Sequence, residues 1–370
     1  VTAADRLSQE EAFARIRLLR SPNIGPVSYG QLLRRYGDAR TALEALPGLA
    51  ARGGRPYRAA PAEGIEREVA AAKAAGARYL FHDSPHYPPL LKEMDSAPPI
   101  LMARGDTGLA ARPCVAVVGA RNASAAAIKL ARDFGAGLAA LGFTVVSGLA
   151  RGIDGAAHEG AFPATIGVIA SGIDIAYPPQ HGALQGRIAE EGLLLAEQPP
   201  GTEPRGSHFP SRNRIIAGLS AGTLVVEAAP KSGSLITARL AAEAGREVMA
   251  IPGSPLDARS HGCNQLIRDG AVLVQTPDDV AELLSGFDGN PRSSLREGSA
   301  RWEGAPEDHE RDEESDRASI AGLLGTAPVG VDEIVRQSGA TTGAVQMALL
   351  ELEIAGRLVR HAGGRVSLSA

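Results

Sequence analysis

Aromatic side chains are scarce in this 370-residue chain, only 4% of the whole with a single Trp. A surface that bound its ligand mainly by stacking rings would need more. Cysteine is nearly absent. Cys114 and Cys263 stand far apart in no CxxC spacing, which leaves neither a zinc site nor a disulfide framework. No apolar run reaches membrane-spanning length, and the first residues, beginning at Val1, carry no signal-peptide pattern, so a cytoplasmic protein is expected. The dinucleotide fingerprint GxGxxG is missing from the glycine turns, and GxxxxGK[ST] occurs nowhere. His82, Asp83 and His86 lie close together, but among Pro85, Pro88 and Pro89 they read as surface residues of a turn rather than metal ligands. No metal and no cofactor is expected.

What is abundant is glycine, 44 residues, and a hydrophobic fraction of 44%, ample for a core. The length calls for two or three domains. Net charge is −4, yet eight acids against the single Arg311 fall between Glu303 and Asp316. Without that stretch the chain is slightly basic, so it reads as a modestly basic protein carrying an acidic linker.

Four regions follow. Residues 1–78 read as a small helical domain, broken at Ser21-Pro22-Asn23-Ile24-Gly25-Pro26. A sharper reading is a SAM-like or helix-hairpin-helix domain, although that hairpin usually reads Gly-hydrophobic-Gly and here reads Asn23-Ile24-Gly25. Residues 79–285 alternate four- or five-residue apolar strands, such as Val115–Val118, Thr165–Ile169 and Thr223–Glu227, with helical stretches. Such strands are buried on both faces, which predicts an α/β fold with an extended Rossmann-like parallel sheet. Residues 286–317 read as the acidic flexible linker. In 318–370, three helical patterns and a hairpin around Gly363-Gly364 read as a winged helix. Its third helix, Thr341 to Ala355, has no Lys or Arg and carries Glu351 and Glu353. A groove-reading helix is basic, so this domain is expected to contact protein, or DNA only weakly through Arg357, Arg360 and Arg365.

The chemistry should sit at the strand ends. In an open parallel sheet the turns after the strands converge on one crevice, where helix N-termini favour an anion. Four turns qualify: Gly119–Ser124 with Arg121; Ser147-Gly148-Leu149-Ala150-Arg151-Gly152-Ile153-Asp154; Ser171–Asp174; and Lys231-Ser232-Gly233-Ser234. Each alone could use glycine for steric reasons only. Together, with Arg121, Arg151 and Lys231, they read as a phosphate site. The stretch Phe209–Ala217 adds Arg212 and Arg214. With Ser211 as N-cap these fall in the first helical turn, where the dipole disfavours cations. A salt bridge to Glu197 or Glu203 is the plain explanation, and forked donors for phosphate the functional one. Asp154 and His158, four apart on one helix, could be a base and its orienting partner, but without a nucleophile elbow or HExxH they read as scaffold.

These residues resemble those of the DNA-processing protein A family (DprA, also called Smf). The resemblance runs through Val115–Arg121, Ser147–Asp154, Ala157–Ala161, Tyr177-Pro178, Phe209–Ser220, Val225–Ala228, Ser232–Thr237, Gly245–Val248, Pro252-Gly253 and Gly270-Ala271. It implies a non-enzymatic protein that binds single-stranded DNA without sequence preference during natural transformation. It further implies loading of the RecA recombinase and a homodimer formed through the Rossmann-like domain. By motif, Arg121, Ser147, Gly148, Arg212 and Arg214 would touch DNA. Arg151, Lys231, Ser232 and Gly233 join them by position. Pro179 and Gln180 follow Tyr177-Pro178 where some relatives carry a lysine. Two other classes remain open on the sequence: a nucleoside-phosphate N-glycosidase using Asp154, His158 and Glu227, and an adaptor whose pocket takes only small anions.

Overall fold

The computed structural model describes residues 7–94, 96–286, 313–361 and 363–369. Three helices open it: α1 (Gln9–Arg20), α2 (Pro26–Tyr36) and α3 (Ala39–Arg52). Ser8 and Asp38 cap α1 and α3 by accepting from Glu11 and Thr41 N–H, and Pro26 starts α2, where its missing N–H costs nothing. Helix α4 (Ala62–Ala74) leads to β1 (Arg78–Phe81), the one-turn α5 (Pro89–Lys92) and β2 (Ile100–Gly105).

From here strands and helices alternate: β3 (Cys114–Val118), α6 (Ala125–Ala140), β4 (Thr144–Ser147), α7 (Ile153–Ala161) and β5 (Thr165–Gly172). Next come α8 (Gly182–Glu191), β6 (Leu193–Gln198), α9 (His208–Leu219), β7 (Gly222–Val225) and α10 (Gly233–Glu243). The series closes with β8 (Glu247–Ala250), α11 (His261–Arg268), β9 (Val272–Leu273) and α12 (Pro277–Leu284). The nine strands form one sheet ordered β1-β2-β6-β5-β4-β3-β7-β8-β9. From β6 to β9 every pairing is parallel, while β1 and β2 add an antiparallel edge.

The predicted Rossmann-like sheet is therefore present, extended on one side by the antiparallel strands β1 and β2. Side-chain alternation covers both faces. Ala116 and Val118 of β3 pack with Ile215, Ile216 and Leu219 of α9. Val115 and Val117 turn the other way, onto Phe134 and Leu138 of α6 and Ile153 of α7. Strand order reverses direction at β3: the chain runs outward through β4, β5 and β6, then returns to lay β7 on the opposite side of β3. That reversal opens a crevice beyond the carboxyl ends of β3 and β7.

The segment expected as acidic linker lies largely outside the described residues. The described residues resume with α13 (Glu313–Gly322), which begins before the expected start near Ala318. Then follow β10 (Val329–Gly330), α14 (Val331–Ser338), α15 (Thr342–Ile354), β11 (Leu358–His361) and β12 (Arg365–Leu368), a winged helix with a three-stranded sheet. The chain divides into two compact units, one of residues 67–296 and the other made of both chain ends.

Within the terminal unit, α15 is buried on two sides. Val345, Leu349 and Leu352 fill the winged-helix core, while Leu350 and Ile354 join Leu46 and Leu49 of α3. A helix apolar all round is a buried helix. Helix α3 therefore covers the second apolar face of this third helix.

Candidate nucleic-acid interface

Each wall of the crevice starts as a strand end whose backbone is tied down. After β3, Ala120 N–H donates to Glu227 O (2.7 Å), joining the β3 turn to the end of β7. The Glu227 carboxylate then takes Ser124 N–H (3.0 Å) and the Ser124 hydroxyl (2.7 Å), and Ser124 caps α6. Held this way, the turn points Arg121 and Asn122 outward, both exposed. The guanidinium of Arg121 lies 5.0 Å from the centre of the Phe209 ring, and Phe209 in turn leans on Tyr177 with centroids 5.7 Å apart.

The turn after β4 was expected to offer its backbone N–H groups to an anion. It does not. Gly148 and Ala150 N–H both donate to the Asp154 carboxylate, at 3.2 and 3.3 Å. The loop has wrapped its own carboxylate, which takes these two N–H groups away from any ligand. Burial pushes the Asp154 carboxyl upward, and Arg212, the two N–H groups and Arg121 pull against it. Ser147 is likewise no surface donor: it is fully buried, its hydroxyl given to Val117 O at 2.6 Å. Gly148 is needed for space, since a β-carbon there would land on the Arg212 guanidinium. Of this stretch only Arg151 reaches solvent as a cation.

His158 is also part of the scaffold. The Thr165 hydroxyl donates to Val145 O, so it accepts from His158 Nδ1–H at 2.7 Å. Burial drives the ring down to about 3, with the positive charges of His181 and Arg212 adding to it. A neutral, enclosed imidazole of that kind cannot trade protons with a ligand near pH 7.

Helix α9 supplies the floor. It begins at His208, behind Ser207, and not at Ser211 as expected. Pro210 sits inside the first turn, where its lack of N–H is harmless, and so does not mark a helix start beyond it. Arg212 and Arg214 therefore lie past the first turn, and the dipole conflict inferred for them lapses. Their fates differ. Arg212 is 6% exposed, donates from Nη1 to Val168 O at 2.8 Å, and has a buried Nε without a protein partner. Burial lowers its pKa to about 10, with Asp154 opposing and Arg121 assisting, so it stays a cation at neutral pH. Arg214 turns to Glu197 as an ion pair and gives Nη1 to Ser96 O at 2.6 Å. That is the salt bridge weighed from sequence, and it takes Arg214 off the cavity walls.

After β7, Lys231 adopts a left-handed backbone, φ +69°. For a side chain larger than glycine this costs about 1–2 kcal/mol, and such strain collects where function holds it. Ser232 caps α10 through Ser234, and Gly233 has open space above it.

Two cavities result. The larger, about 630 Å³, lies at the switch point and is walled by Arg121, Asn122, Lys231, Gly233, Asn213 and Arg259. The smaller, about 230 Å³, is walled by Arg121, Gly148, Arg151, Tyr177 and Gln180. Arg121, Ala150, Phe209 and Arg212 belong to both and form the partition. Sequence reasoning missed the Tyr177–Phe209 pair and Arg259. The last is bound to Asp257 at 2.9 Å, and no local motif signals that it reaches the crevice. Among the described residues no group of three or more His, Cys, Asp or Glu could hold a metal.

Comparison with known proteins bears on this geometry. The family model described as DNA recombination-mediator protein A matches residues 78–285, the whole of the sheet that builds both cavities. The chain belongs to that family. Flanking models of the same family match as well, a DprA-like N-terminal HHH domain over residues 9–71 and a DprA winged helix domain over 304–364. The helix-hairpin-helix reading of the N-terminal domain is thereby the one supported, despite Asn23 in its turn. Protein Smf of Escherichia coli strain K12 is 36% identical over 330 residues, covering 87% of this chain and 85% of that one. DNA processing protein DprA of Streptococcus pneumoniae is 47% identical over 197 residues, 52% of this chain and 70% of its own. Among solved structures, DprA from Streptococcus pneumoniae superposes with a TM-score of 0.62 at 35% identity, covering 75% of this chain and 98% of that chain. DNA processing protein A from Helicobacter pylori, a structure described for its single-stranded DNA binding mode, gives 0.52 at 30% identity, covering 56% and 95%.

Proposed function

We propose that this protein binds single-stranded DNA, without sequence preference, across the two cavities at the switch point. The observation that carries the reading is the shared partition: Arg121 and Arg212, with Phe209 between their cavities, front a crevice whose walls also carry Arg151, Lys231 and the Asp257-paired Arg259. Phosphates spaced along a strand would meet Arg121, Arg151 and Lys231 directly, with Ser232 and Gly233 at the mouth of α10. Arg212 contributes its buried charge from below. Ser147, Gly148 and Arg214 serve as supports rather than contacts. Phosphate contacts position a strand and carry no sequence information. The exposed Tyr177 and half-buried Phe209 offer one stacking platform, worth about 1–3 kcal/mol per base.

The family supports a further assignment: loading of the RecA recombinase on that strand in natural transformation, by a homodimer joined through the Rossmann-like sheet, in the cytoplasm. No described helix is long and apolar enough to cross a membrane. A binding role rather than catalysis is supported by the three acid–base candidates. The Asp154 and Glu227 carboxylates each hold a loop, and His158 is enclosed with its Nδ1–H given to Thr165.

The test compares mobility shifts of single- and double-stranded oligonucleotides of equal length, alongside an assay for nucleoside monophosphate hydrolysis. Preferential retardation of the single strand with no hydrolysis agrees with the reading. Turnover that disappears in Glu227→Ala contradicts it.

A further inference from the structure

The terminal unit holds a second place where donors meet an anion. Residues 9–60 contain nine arginines against four acids. Helix α15 contains no basic residue and carries Glu351 and Glu353. Of those arginines, Arg52 is the one shown against α15. Arg52, at the end of α3, gives Nε to Glu351 at 2.5 Å, and Glu351, 1% exposed, takes Arg317 Nε on its other oxygen at 2.9 Å. In the hairpin between α1 and α2, Asn23 holds a left-handed backbone, φ +61°, and donates its amide to Ile354 O at 3.1 Å. Ile354 O lies at the carboxyl end of α15, the negative pole of the helix. Gln31 adds a bond to Gln346 at 2.8 Å, and Leu350 and Ile354 seal the contact against Leu46 and Leu49.

A carboxylate and a helix-end carbonyl thus occupy the donors of a cationic hairpin domain, the pattern a phosphodiester backbone would satisfy. We propose that the Asn23–Arg52 face is a nucleic-acid backbone site masked by α15, so that docking of the winged helix and DNA contact by the N-terminal domain exclude each other. The site is separate from the switch-point cavities and adds cations to the DNA footprint only when α15 lets go. It also accounts for a third helix without basic residues: Glu351 answers Arg52 of the N-terminal face together with Arg317, while Glu353 pairs with Arg360 of the hairpin.

Leu350→Asp in the full chain opens the contact, because Leu350 faces α3 while Val345, Leu349 and Leu352 hold the winged helix itself. Binding of a labelled oligonucleotide is followed by anisotropy across a salt series. The opened chain is expected to bind about fivefold tighter at low salt, with a log K against log salt slope steeper by about 1. Adding Arg52→Ala removes the gain, and the gain persists in an Arg121→Ala background, which separates this site from the cavities. Should Leu350→Asp fail to fold, Glu351→Gln, of equal volume, gives the same direction of change. Conversely, Gln31→Cys/Gln346→Cys joined by a short bismaleimide, with Cys114 and Cys263 buried and unreactive, binds like the parent chain. An opened, folded variant that binds no tighter, or a tethered one that binds more tightly than the parent, overturns the proposal.

Discussion

The guanidinium of Arg212 lies where a β-carbon on Gly148 would have to be. One residue type at the end of β4 thus decides whether the buried cation of α9 can stand beneath the crevice. Gly148→Ala is expected to displace Arg212 and break its bond to Val168 O, costing about 1–3 kcal/mol of stability, as over-filled cores do. Thermal unfolding reads the loss, and single-strand affinity falls with it.

Arg121 and Arg214 separate contact from support. Arg121→Ala leaves the fold intact, since the side chain is exposed, and weakens oligo-dT binding while reducing the salt slope by about 0.7. Arg214→Ala strands Glu197, whose side chain is 19% exposed, and costs about 2 kcal/mol in unfolding measurements with no change in that slope.

Stability should depend on pH through His158. Its folded pKa, near 3, lies below the ordinary 6.5, so the unfolded chain takes up the proton first. Stability is then full above about pH 6.5 and falls by about 1.4 kcal/mol per pH unit as pH drops toward 3. Denaturant titrations from pH 7 to 4.5 check this, and His158→Gln is expected to lose much of the slope at the price of a lower plateau.

Glu227→Gln tests whether a carboxylate in the crevice is scaffold. Removing its charge weakens the grip on Ser124 N–H and the cap of α6, about 1–2 kcal/mol by unfolding. Incubation with nucleoside monophosphates is expected to release no base from either the parent chain or the variant.

Much of the fold could be read from the sequence because buried parallel strands such as Val115–Val118 and Thr165–Ile169 are short, apolar and followed by turns that contain glycine. The antiparallel edge of β1 and β2 carries no such mark of its sheet partner; only tertiary pairing places β2 on β6. At the site, Arg121, Arg151 and Lys231 were legible as cations on strand-end turns. What one-dimensional reading could not provide was where hydrogen bonds close. Nothing local tells that Asp154 folds back onto Gly148 and Ala150 N–H and fills the loop that looked like an anion cradle. Ser211 read as an N-cap, when the helix had already begun at His208. In α15 the run Ala348-Leu-Leu-Glu-Leu-Glu-Ile354 satisfies the winged-helix pattern, yet its extra apolar residues, Leu350 and Ile354, were the trace of a second buried face.

The central claim is that exposed cations at the switch point grip the phosphates of a single strand. Oligo-dT affinity measured across a salt series tests it most directly. Three outward cations and one buried beneath them predict a log K against log salt slope of about −2 to −3, at about 0.7 per phosphate neutralised. The triple variant Arg121→Ala/Arg151→Ala/Lys231→Ala should bring it to about −0.7 or shallower, the share left to Arg212. A parent slope near zero, or one that the triple variant leaves unchanged, would contradict the account.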